Sequence, residues 1–450
     1  MKNQSIITYI TFGFVLFVAS CKLDNIPDPN NPSIVSVTDN ANSAQLQNLV
    51  SGLESRSADY VIAAQNAFGT FARDVWYFNS NDSRNVQFWL GLGGRKPDGD
   101  FFGVSSIYVS PYQAIKQADV LIRAVNNTPA ITAEQKLSYT GFAKTIQGYQ
   151  YLVPANSQYK NGIRIDVSNE MKPGPFVSYE EALKAIQSIL SDGYTDLIKA
   201  GTTLPFKLTA GYAPFSSPAG LAKVNRALAA RTAIYQKDWQ GALDALKLSF
   251  FNLSGDLDLG PAHVYGAPPE PFNPFYYVLN ANVSNLPVVH PSFVKDALPG
   301  DSRITRKIFV RTTPLINTVG TIPLSSLYQD KRWTSNTSPV PYIRNEELIL
   351  IYAEASAQLG RFDDAVTAIN RIRTSANLAV YSGEKNLDAL ITEILFQRRY
   401  SLWFEPAGHR WFDLRRYNRL NEINITLDGG SVFTQLERPS SEVNWDTYNK

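Results

Sequence analysis

The chain has 450 residues, of which 44% are hydrophobic and 18% are charged, so it can bury a large core. The formal net charge is only +2, and no cluster of lysine and arginine alternates with aromatic residues, which argues against nucleic acid as a partner. Cys21 is the only cysteine, so an internal disulfide is excluded and the fold must depend on packing.

The first twenty residues have the pattern of an export signal. Lys2 precedes an apolar run from Ile6 to Ala19 that is too short to span a membrane. The segment VASC, which ends at Cys21, resembles a bacterial lipobox, where cleavage before the cysteine is coupled to its lipidation. We therefore predict a lipoprotein signal peptide over residues 1–20, a lipid on Cys21, and anchoring to a membrane without crossing it. An ordinary secretory signal with an incidental cysteine is the alternative.

The N-terminal third of the chain contains a predicted tether, two helices and an aromatic stretch. Residues 21–32 are rich in proline, asparagine and aspartate, which disfavour helix and strand and predict an extended tether. Apolar residues at helical spacing predict one long amphipathic helix from Ala41 to Ala67 and another from Pro111 to Val125. Between them, from Phe71 to Gly103, aromatic and polar residues are interspersed in a pattern that we interpret as loop-rich.

Three helical hairpins share one sequence pattern. Tyr179, Trp239 and Phe362 are each followed by alanines three and six positions later and by a large aliphatic residue seven positions later. Small residues at these positions let two antiparallel helices approach closely, as in tetratricopeptide-like repeats. We therefore predict a mainly α fold of tetratricopeptide-like hairpins with long irregular inserts, and three unrelated amphipathic hairpins are the alternative. The pairs lie near residues 134–197, 221–250 and 343–376.

The longest insert, residues 252–340, is predicted to be irregular because it is dense in proline, glycine and asparagine. Its aromatic residues, which include a cluster from Tyr265 to Tyr277 and then Trp333, argue against disorder. A loop of this length in a compact protein is usually functional when it is ordered. We therefore expect this insert to contribute to a binding surface.

Four segments resemble the SusD/RagB family of nutrient-binding outer-membrane lipoproteins from Bacteroidetes-type bacteria. They are the lipobox at Cys21 and the segments Tyr112–Asn127, Ile351–Arg373 and Glu393–Tyr417. Together with the repeats they span essentially the whole chain. In the family a glutamate runs directly into Gly-His-Arg, whereas Pro406 and Ala407 separate Glu405 from Gly408 here, so the geometry of this loop is left open.

The resemblance implies that residues 33–450 form a single SusD-like domain, displayed at the cell surface by the lipid anchor. The domain would cover a SusC-like TonB-dependent transporter barrel in the outer membrane and pass it captured oligosaccharides, or sometimes peptides. The family carries no catalysis, so the resemblance implies that the chain is not an enzyme. Two alternatives stay open: a lipid-anchored hydrolase that uses paired carboxylates, and a repeat scaffold that binds only proteins.

A charged run near the C-terminus could suggest an active site. It consists of Glu405, His409, Arg410, Asp413, Arg415 and Arg416. Pro406 and Gly408 break the helix that would align these groups, and the resemblance implies a structural ion-pair and capping network instead. No sequence motif of a hydrolase, zinc site or phosphate-binding loop occurs, and Asp256 and Asp258 are too few for a calcium loop. We predict no catalytic residue, cofactor or metal.

An oligosaccharide site needs aromatic rings and hydrogen-bonding groups, because a sugar has a face of C–H bonds and a rim of hydroxyls. The segment from Trp76 to Trp89 supplies both kinds of group, and the cluster from Tyr265 to Tyr277 supplies more aromatic rings. We predict that the ligand contacts Trp76, Tyr77, Asn81, Asp82, Arg84, Tyr276 and Trp333. Burial in the core is the alternative for each aromatic residue. If Trp76 is at the surface, its replacement by alanine should have little effect on folding.

Overall fold

The structure is a computed structural model that describes residues 37–169, 172–268, 270–283, 285–319 and 322–448. The predicted signal peptide, Cys21 and the tether of residues 21–32 lie outside these ranges. Within them the chain forms fifteen α-helices and eight strands, so the predicted mainly α fold is confirmed. None of the described helices combines the length and the hydropathy that a membrane span requires.

The helices and strands follow one another in an order that alternates helical pairs with insertions. The helices are α1 (Ser43–Arg56), α2 (Val61–Phe71), α3 (Arg84–Leu90), α4 (Phe102–Asn127), α5 (Ala133–Gln158), α6 (Tyr179–Lys199), α7 (Pro218–Gln236), α8 (Trp239–Lys247), α9 (Pro291–Lys295), α10 (Ser302–Lys307), α11 (Asn345–Gln358), α12 (Phe362–Ser375), α13 (Leu387–Ser401), α14 (His409–Arg416) and α15 (Ser440–Tyr448). The strands are β1 (Val75–Asn79), β2 (Ile163–Arg164), β3 (Phe176–Val177), β4 (Ala262–His263), β5 (Asn285–Val289), β6 (Ile308–Val319), β7 (Ile322–Asp330) and β8 (Val340–Pro341).

The first part of the chain contains two helices where one was expected. A turn between α1 and α2 interrupts the predicted helix from Ala41 to Ala67, so that prediction is wrong. The Ser57 hydroxyl donates a hydrogen bond to the carbonyl oxygen of Glu54 at 2.7 Å and so competes with the helical hydrogen-bond pattern. The helix α2 is buried along almost its whole length. A helix buried on all sides shows no polar stripe, so the spacing of apolar residues could not reveal the break.

Three helical hairpins form the repeats that the sequence predicts. They are α5 with α6, α7 with α8, and α11 with α12, and successive pairs pack through α6 on α7 and α8 on α11. Ala182, Ala242 and Ala365, the first alanines of the three repeats, are fully buried. Each hairpin therefore buries its alanine face, and neighbouring hairpins cover the apolar surface that one pair leaves open.

A four-stranded antiparallel sheet, which the sequence did not predict, joins the aromatic stretch to the long insert. Its order is β1-β5-β7-β6. The β1–β5 register places Trp76 opposite Val288 and Phe78 opposite Leu286, and these four residues belong to one apolar cluster. The start of the aromatic stretch is therefore a half-buried strand, and part of the predicted irregular insert is ordered as its partner.

A buried ion pair connects this sheet to the C-terminal segment. The Arg73 guanidinium donates from Nε and Nη2 to the two carboxylate oxygens of Asp428, at 2.9 and 3.0 Å. The indole Nε1 of Trp76 donates to the same carboxylate at 3.2 Å. Because both charges are buried, loss of one partner would leave the other unpaired in a medium of low dielectric constant. The contact therefore fixes the C-terminal segment around Asp428 against β1.

Replacing Trp76 by alanine should lower the free energy of unfolding by about 3–5 kcal/mol, because it empties part of the core. The Asp428 carboxylate would also lose a donor. Urea denaturation followed by circular dichroism measures the change. Tyr448→Ala is the matched control, since that ring is 84% exposed and its loss should cost less than about 1 kcal/mol. Equal stability of the two variants would contradict a core position for Trp76.

Candidate functional site

Trp76 lies in the interior of the protein, which corrects the prediction that it contacts ligand. Its side chain is 2% exposed, and its ring packs edge-on against His290 with centroids 4.6 Å apart. Successive side chains of a strand point to opposite faces. The neighbouring Tyr77 is accordingly only partly buried, and it is the aromatic residue of β1 that stays accessible to a ligand.

Asn81, Asp82 and Arg84 form a surface turn directly after β1. The side-chain oxygen of Asn79 accepts hydrogen bonds from the backbone N–H groups of Asn81 and Asp82, both at 3.0 Å. Arg84 donates to the Asp82 carboxylate at 2.7 Å and its guanidinium lies 5.3 Å from the ring centroid of Phe102. The hydrogen bond from Arg84 lowers the pKa of Asp82. This turn therefore presents an ion pair beside a half-exposed ring.

Tyr276 and Trp333 lie in the long insert, and both are partly buried. The Trp333 ring packs 6.0 Å from that of Phe275, and its indole nitrogen is buried without a hydrogen-bond partner among the described residues. Burial, together with the nearby Tyr77 phenol, raises the pKa of Tyr277 to about 12. The structure thus brings the insert next to β1 through Tyr77 and Tyr277.

A cleft of about 450 Å³, here called the Tyr265 cleft, lies between α1, the 3-10 helix Ala210–Phe215 and the start of the long insert. This volume is in the range of small-molecule sites. The cleft combines aromatic rings with carboxylate and hydroxyl groups. The lining side chains that carry these groups are Ser51, Glu54, Thr209, Tyr212, Tyr265 and Glu270.

One wall of the Tyr265 cleft depends on a close backbone contact. A Cβ atom on Gly211 would lie 1.9 Å from the carbonyl oxygen of Ala262, so only glycine allows the 3-10 helix to approach β4 this closely. The contact places Tyr212 in the cleft, where its hydroxyl accepts a hydrogen bond from the Tyr342 hydroxyl at 3.0 Å. The Tyr212 ring is therefore held in one position.

The Glu54 carboxylate is the most buried charged group of the cleft. It accepts hydrogen bonds from the backbone N–H and the hydroxyl of Thr209, at 3.1 and 2.8 Å. Burial raises the pKa of Glu54, and the two hydrogen bonds from Thr209 partly oppose the rise. A carboxylate has about four lone-pair sites. Glu54 can therefore accept further hydrogen bonds from the hydroxyl groups of a ligand.

Tyr265 offers a ring and an unsatisfied hydroxyl to the same cleft. The ring is partly exposed, and the buried hydroxyl has no hydrogen-bond partner among the described residues. Burial lowers the pKa of the adjacent His263 to about 3, so its imidazole is neutral. A buried hydroxyl without a partner is costly, and a ligand hydroxyl could supply the missing bond. The cleft thus has the groups that recognise a polyhydroxylated ring.

Sequence reasoning identified Tyr265 only as part of an aromatic cluster, and it missed Glu54, Thr209 and Tyr212. Glu54 had a signal that could have revealed it. It follows Val50 by four positions, so it shares the buried face of α1, where an unpaired glutamate is rare. Thr209 and Tyr212 carried no comparable pattern, because their position depends on a contact between distant parts of the chain.

Arg410 and Arg415 of the charged run form no ion pair with a described carboxylate, but Glu405, Asp413 and Arg416 belong to an ion-pair network, as the resemblance implied. Its contacts are Arg344–Glu405 at 2.7 Å, Arg398–Asp413 at 2.5 Å, Arg416–Asp413 at 2.8 Å and Arg416–Glu354 at 2.9 Å. Burial and the nearby Arg398 lower the pKa of His409 well below its usual value. Gly408 begins α14 at φ 65°, with the Phe68 ring so close that a Cβ would lie 2.6 Å from it.

Comparison with known proteins finds one family model that matches the C-terminal part of the chain. Residues 324–450 match the model of the SusD family. The resemblance to the SusD family is confirmed. No curated protein matches the sequence.

The SusD-like fold extends over most of the chain. Surface glycan-binding protein A from Bacteroides uniformis is 15% identical, with a TM-score of 0.64 over 85% of this chain and 90% of its own. A laminarin-binding SusD-like protein is 15% identical, with a TM-score of 0.65 over 90% and 98%. A SusD superfamily protein from Bacteroides vulgatus is 14% identical, with a TM-score of 0.64 over 86% and 90%. At these identities the similarity establishes the shared fold.

Replacing Glu54 by glutamine should remove a pH-dependent part of the stability. Because the pKa of Glu54 is raised in the folded protein, its stabilising contribution is complete below pH 4.5 and is lost as the pH rises through the folded pKa. The free energy of unfolding of the wild type, relative to Glu54→Gln, should therefore fall above pH 4.5. Urea denaturation at several pH values measures this difference.

The exposed Glu134 provides the control, because Glu134→Gln changes the same chemical group outside the cleft. This variant should show a much smaller pH-dependent difference from the wild type. A Glu54→Gln difference that stays constant with pH would contradict the buried position of the carboxylate.

Proposed function

We propose that this protein is a cell-surface lipoprotein that binds oligosaccharides and delivers them to a SusC-like TonB-dependent transporter of the outer membrane. The observation that carries the proposal is the SusD-family match of residues 324–450. The Tyr265 cleft supports it, because its rings, carboxylate and free hydroxyl suit a sugar. Two proteins of the same fold are named for binding glycans and laminarin, which also supports a carbohydrate ligand.

The proposed binding mode divides the work between ring contacts and hydrogen bonds. A sugar ring would pack its C–H face against the partly exposed ring of Tyr265, and its hydroxyls would donate to Glu54 and pair with the Tyr265 hydroxyl. Binding of this kind needs no bond cleavage, so the ligand would leave unchanged. A longer oligosaccharide would also contact the residues predicted from the sequence, which we retain as proposed contacts: Tyr77, Asn81, Asp82, Arg84, Tyr276 and Trp333.

The proposed location follows from the predicted lipid on Cys21. A tether over residues 21–32 would reach at most about 40 Å, enough to hold the folded part of the chain clear of the lipid headgroups. The protein would then face the cell exterior while staying close to a transporter in the same membrane. This arrangement lets a passive binding protein raise the concentration of its ligand at the transporter.

Replacing Tyr265 by alanine should weaken oligosaccharide binding roughly tenfold, since both a stacking face and a hydroxyl are lost. Isothermal titration with laminarihexaose and maltohexaose measures the affinity, and Tyr448→Ala is the control because its exposed ring does not line the cleft. Tyr265→Phe should recover the part of the affinity that comes from stacking. Unchanged binding by Tyr265→Ala would place the site elsewhere, and cleavage of either oligosaccharide would indicate a hydrolase.

Replacing Cys21 by alanine should move the protein from the membrane fraction to the soluble fraction, because the lipidated residue is removed. Fractionation of cells followed by immunoblotting measures the distribution. Ser20→Ala is the matched control, since alanine is also a small residue before the cysteine and should preserve processing. Membrane attachment of the Cys21→Ala variant would overturn the lipoprotein prediction.

A further inference from the structure

A second cleft, of about 420 Å³ and here called the Arg415 cleft, lies between the ends of α5, α7 and α14 and the start of α6. It shares no lining residue with the Tyr265 cleft. Three tyrosine rings and several cationic side chains line it. The residues that matter for its chemistry are Tyr159, Tyr179, Lys184, Tyr235, Lys237 and Arg415.

Arg415 is a buried cation that lacks an anionic partner. It is 5% exposed, and none of the described carboxylates forms an ion pair with it. Its Nη1 donates to the carbonyl oxygens of Asn156 and Thr434, at 2.8 and 3.1 Å. Its guanidinium lies 4.0 Å from the ring centroid of Tyr159. Burial without a carboxylate lowers the pKa of Arg415, so the site makes its charged form less stable.

The adjacent Arg416, unlike Arg415, has carboxylate partners. Arg416 also lines the cleft, but it is neutralised by Glu354 and Asp413 at 2.9 and 2.8 Å. A buried charge normally persists only when it is paired. An anion bound in the cleft would give Arg415 the partner that the described part of the chain does not provide.

The remaining charges at the cleft favour an anion as well. Lys184 and Lys237 are exposed, and neither forms an ion pair with a described carboxylate. Glu180 is the one carboxylate among the lining residues of the described structure. Because Arg416 is neutralised, the unpaired charges of the lining residues are the positive charges of Arg415, Lys184 and Lys237 and the negative charge of Glu180. The electrostatic potential in the cleft is therefore positive.

The size and the walls of the cleft identify the kind of anion. The volume far exceeds that of a single inorganic anion, and the tyrosines provide apolar surface for the C–H face of a sugar ring. A guanidinium presents paired N–H donors that match a carboxylate. We propose that the Arg415 cleft binds an acidic sugar, with the carboxylate at Arg415 and the rest of the molecule extending towards Lys184 and Lys237. This site goes beyond the proposed function and does not depend on the Tyr265 cleft.

Isothermal titration of the full chain with trigalacturonate and with the neutral maltotriose tests the proposal. We expect trigalacturonate to bind at least about tenfold more tightly than maltotriose, with an affinity that falls as salt is added. The double variant Lys184→Gln/Lys237→Gln should weaken trigalacturonate binding roughly fivefold, because two favourable charges are removed. Lys199→Gln/Lys223→Gln is the matched control, since it makes the same charge change at exposed lysines outside the cleft.

Two further variants make the result specific to the cleft. Arg415→Gln should abolish trigalacturonate binding, and its melting temperature shows whether the fold persists without the two carbonyl contacts. Tyr265→Ala should leave this binding unchanged, which separates the two clefts. No binding of trigalacturonate, equal binding of maltotriose and trigalacturonate to the Tyr265→Ala variant, or equal affinity of the two lysine double variants would overturn the proposal. Inorganic sulfate that binds as tightly as trigalacturonate would overturn the assignment to a sugar.

Discussion

Buried arginine–carboxylate pairs fix the C-terminal helices to the helical hairpins, and the rest of the structure depends on this constraint. Arg231 of α7 pairs with Glu347 of α11 at 2.5 Å, and Arg416 of α14 pairs with Glu354, which also lies in α11. Charges are costly in a medium of low dielectric constant unless they are paired with good geometry. Separating either pair would leave a buried charge without its partner, so both pairs disfavour arrangements that move these helices apart.

This rigid frame explains where the clefts lie. The Tyr265 cleft forms where the long insert returns to α1, and the Arg415 cleft forms where the C-terminal helices meet the first hairpin. Among the described residues, the Tyr265 hydroxyl in one cleft has no hydrogen-bond partner, and the Arg415 guanidinium in the other has carbonyl partners but no carboxylate. Groups of this kind reduce stability, and a bound ligand of the proposed kind would supply the missing partners.

The candidate site shows how far side-chain type alone can be interpreted. Aromatic and polar residues after residue 71 led to the prediction of a sugar-binding surface, yet Trp76 proved to be core and Tyr77 its accessible neighbour. Successive side chains of a strand point to opposite faces of the sheet, and this decides which of the two rings is buried. Local composition does not reveal a strand whose partner is distant in the sequence. Glu54 lies close to Tyr265 only because segments about two hundred residues apart meet.

The sequence by itself determined the helical hairpins and the tetratricopeptide-like repeat, because both depend on spacing within a few turns of helix. The ion pairs of the charged run include contacts between distant segments, such as Arg344 with Glu405, so the tertiary structure decided them. Only the tertiary structure decided that β1 joins the insert in a sheet, that α1 and α2 are separate helices, and which aromatic rings face solvent. These features depend on contacts between residues far apart in the chain. Local spacing carries no information about such contacts, since the same alternation of aromatic and polar residues fits a surface loop or a half-buried strand equally well.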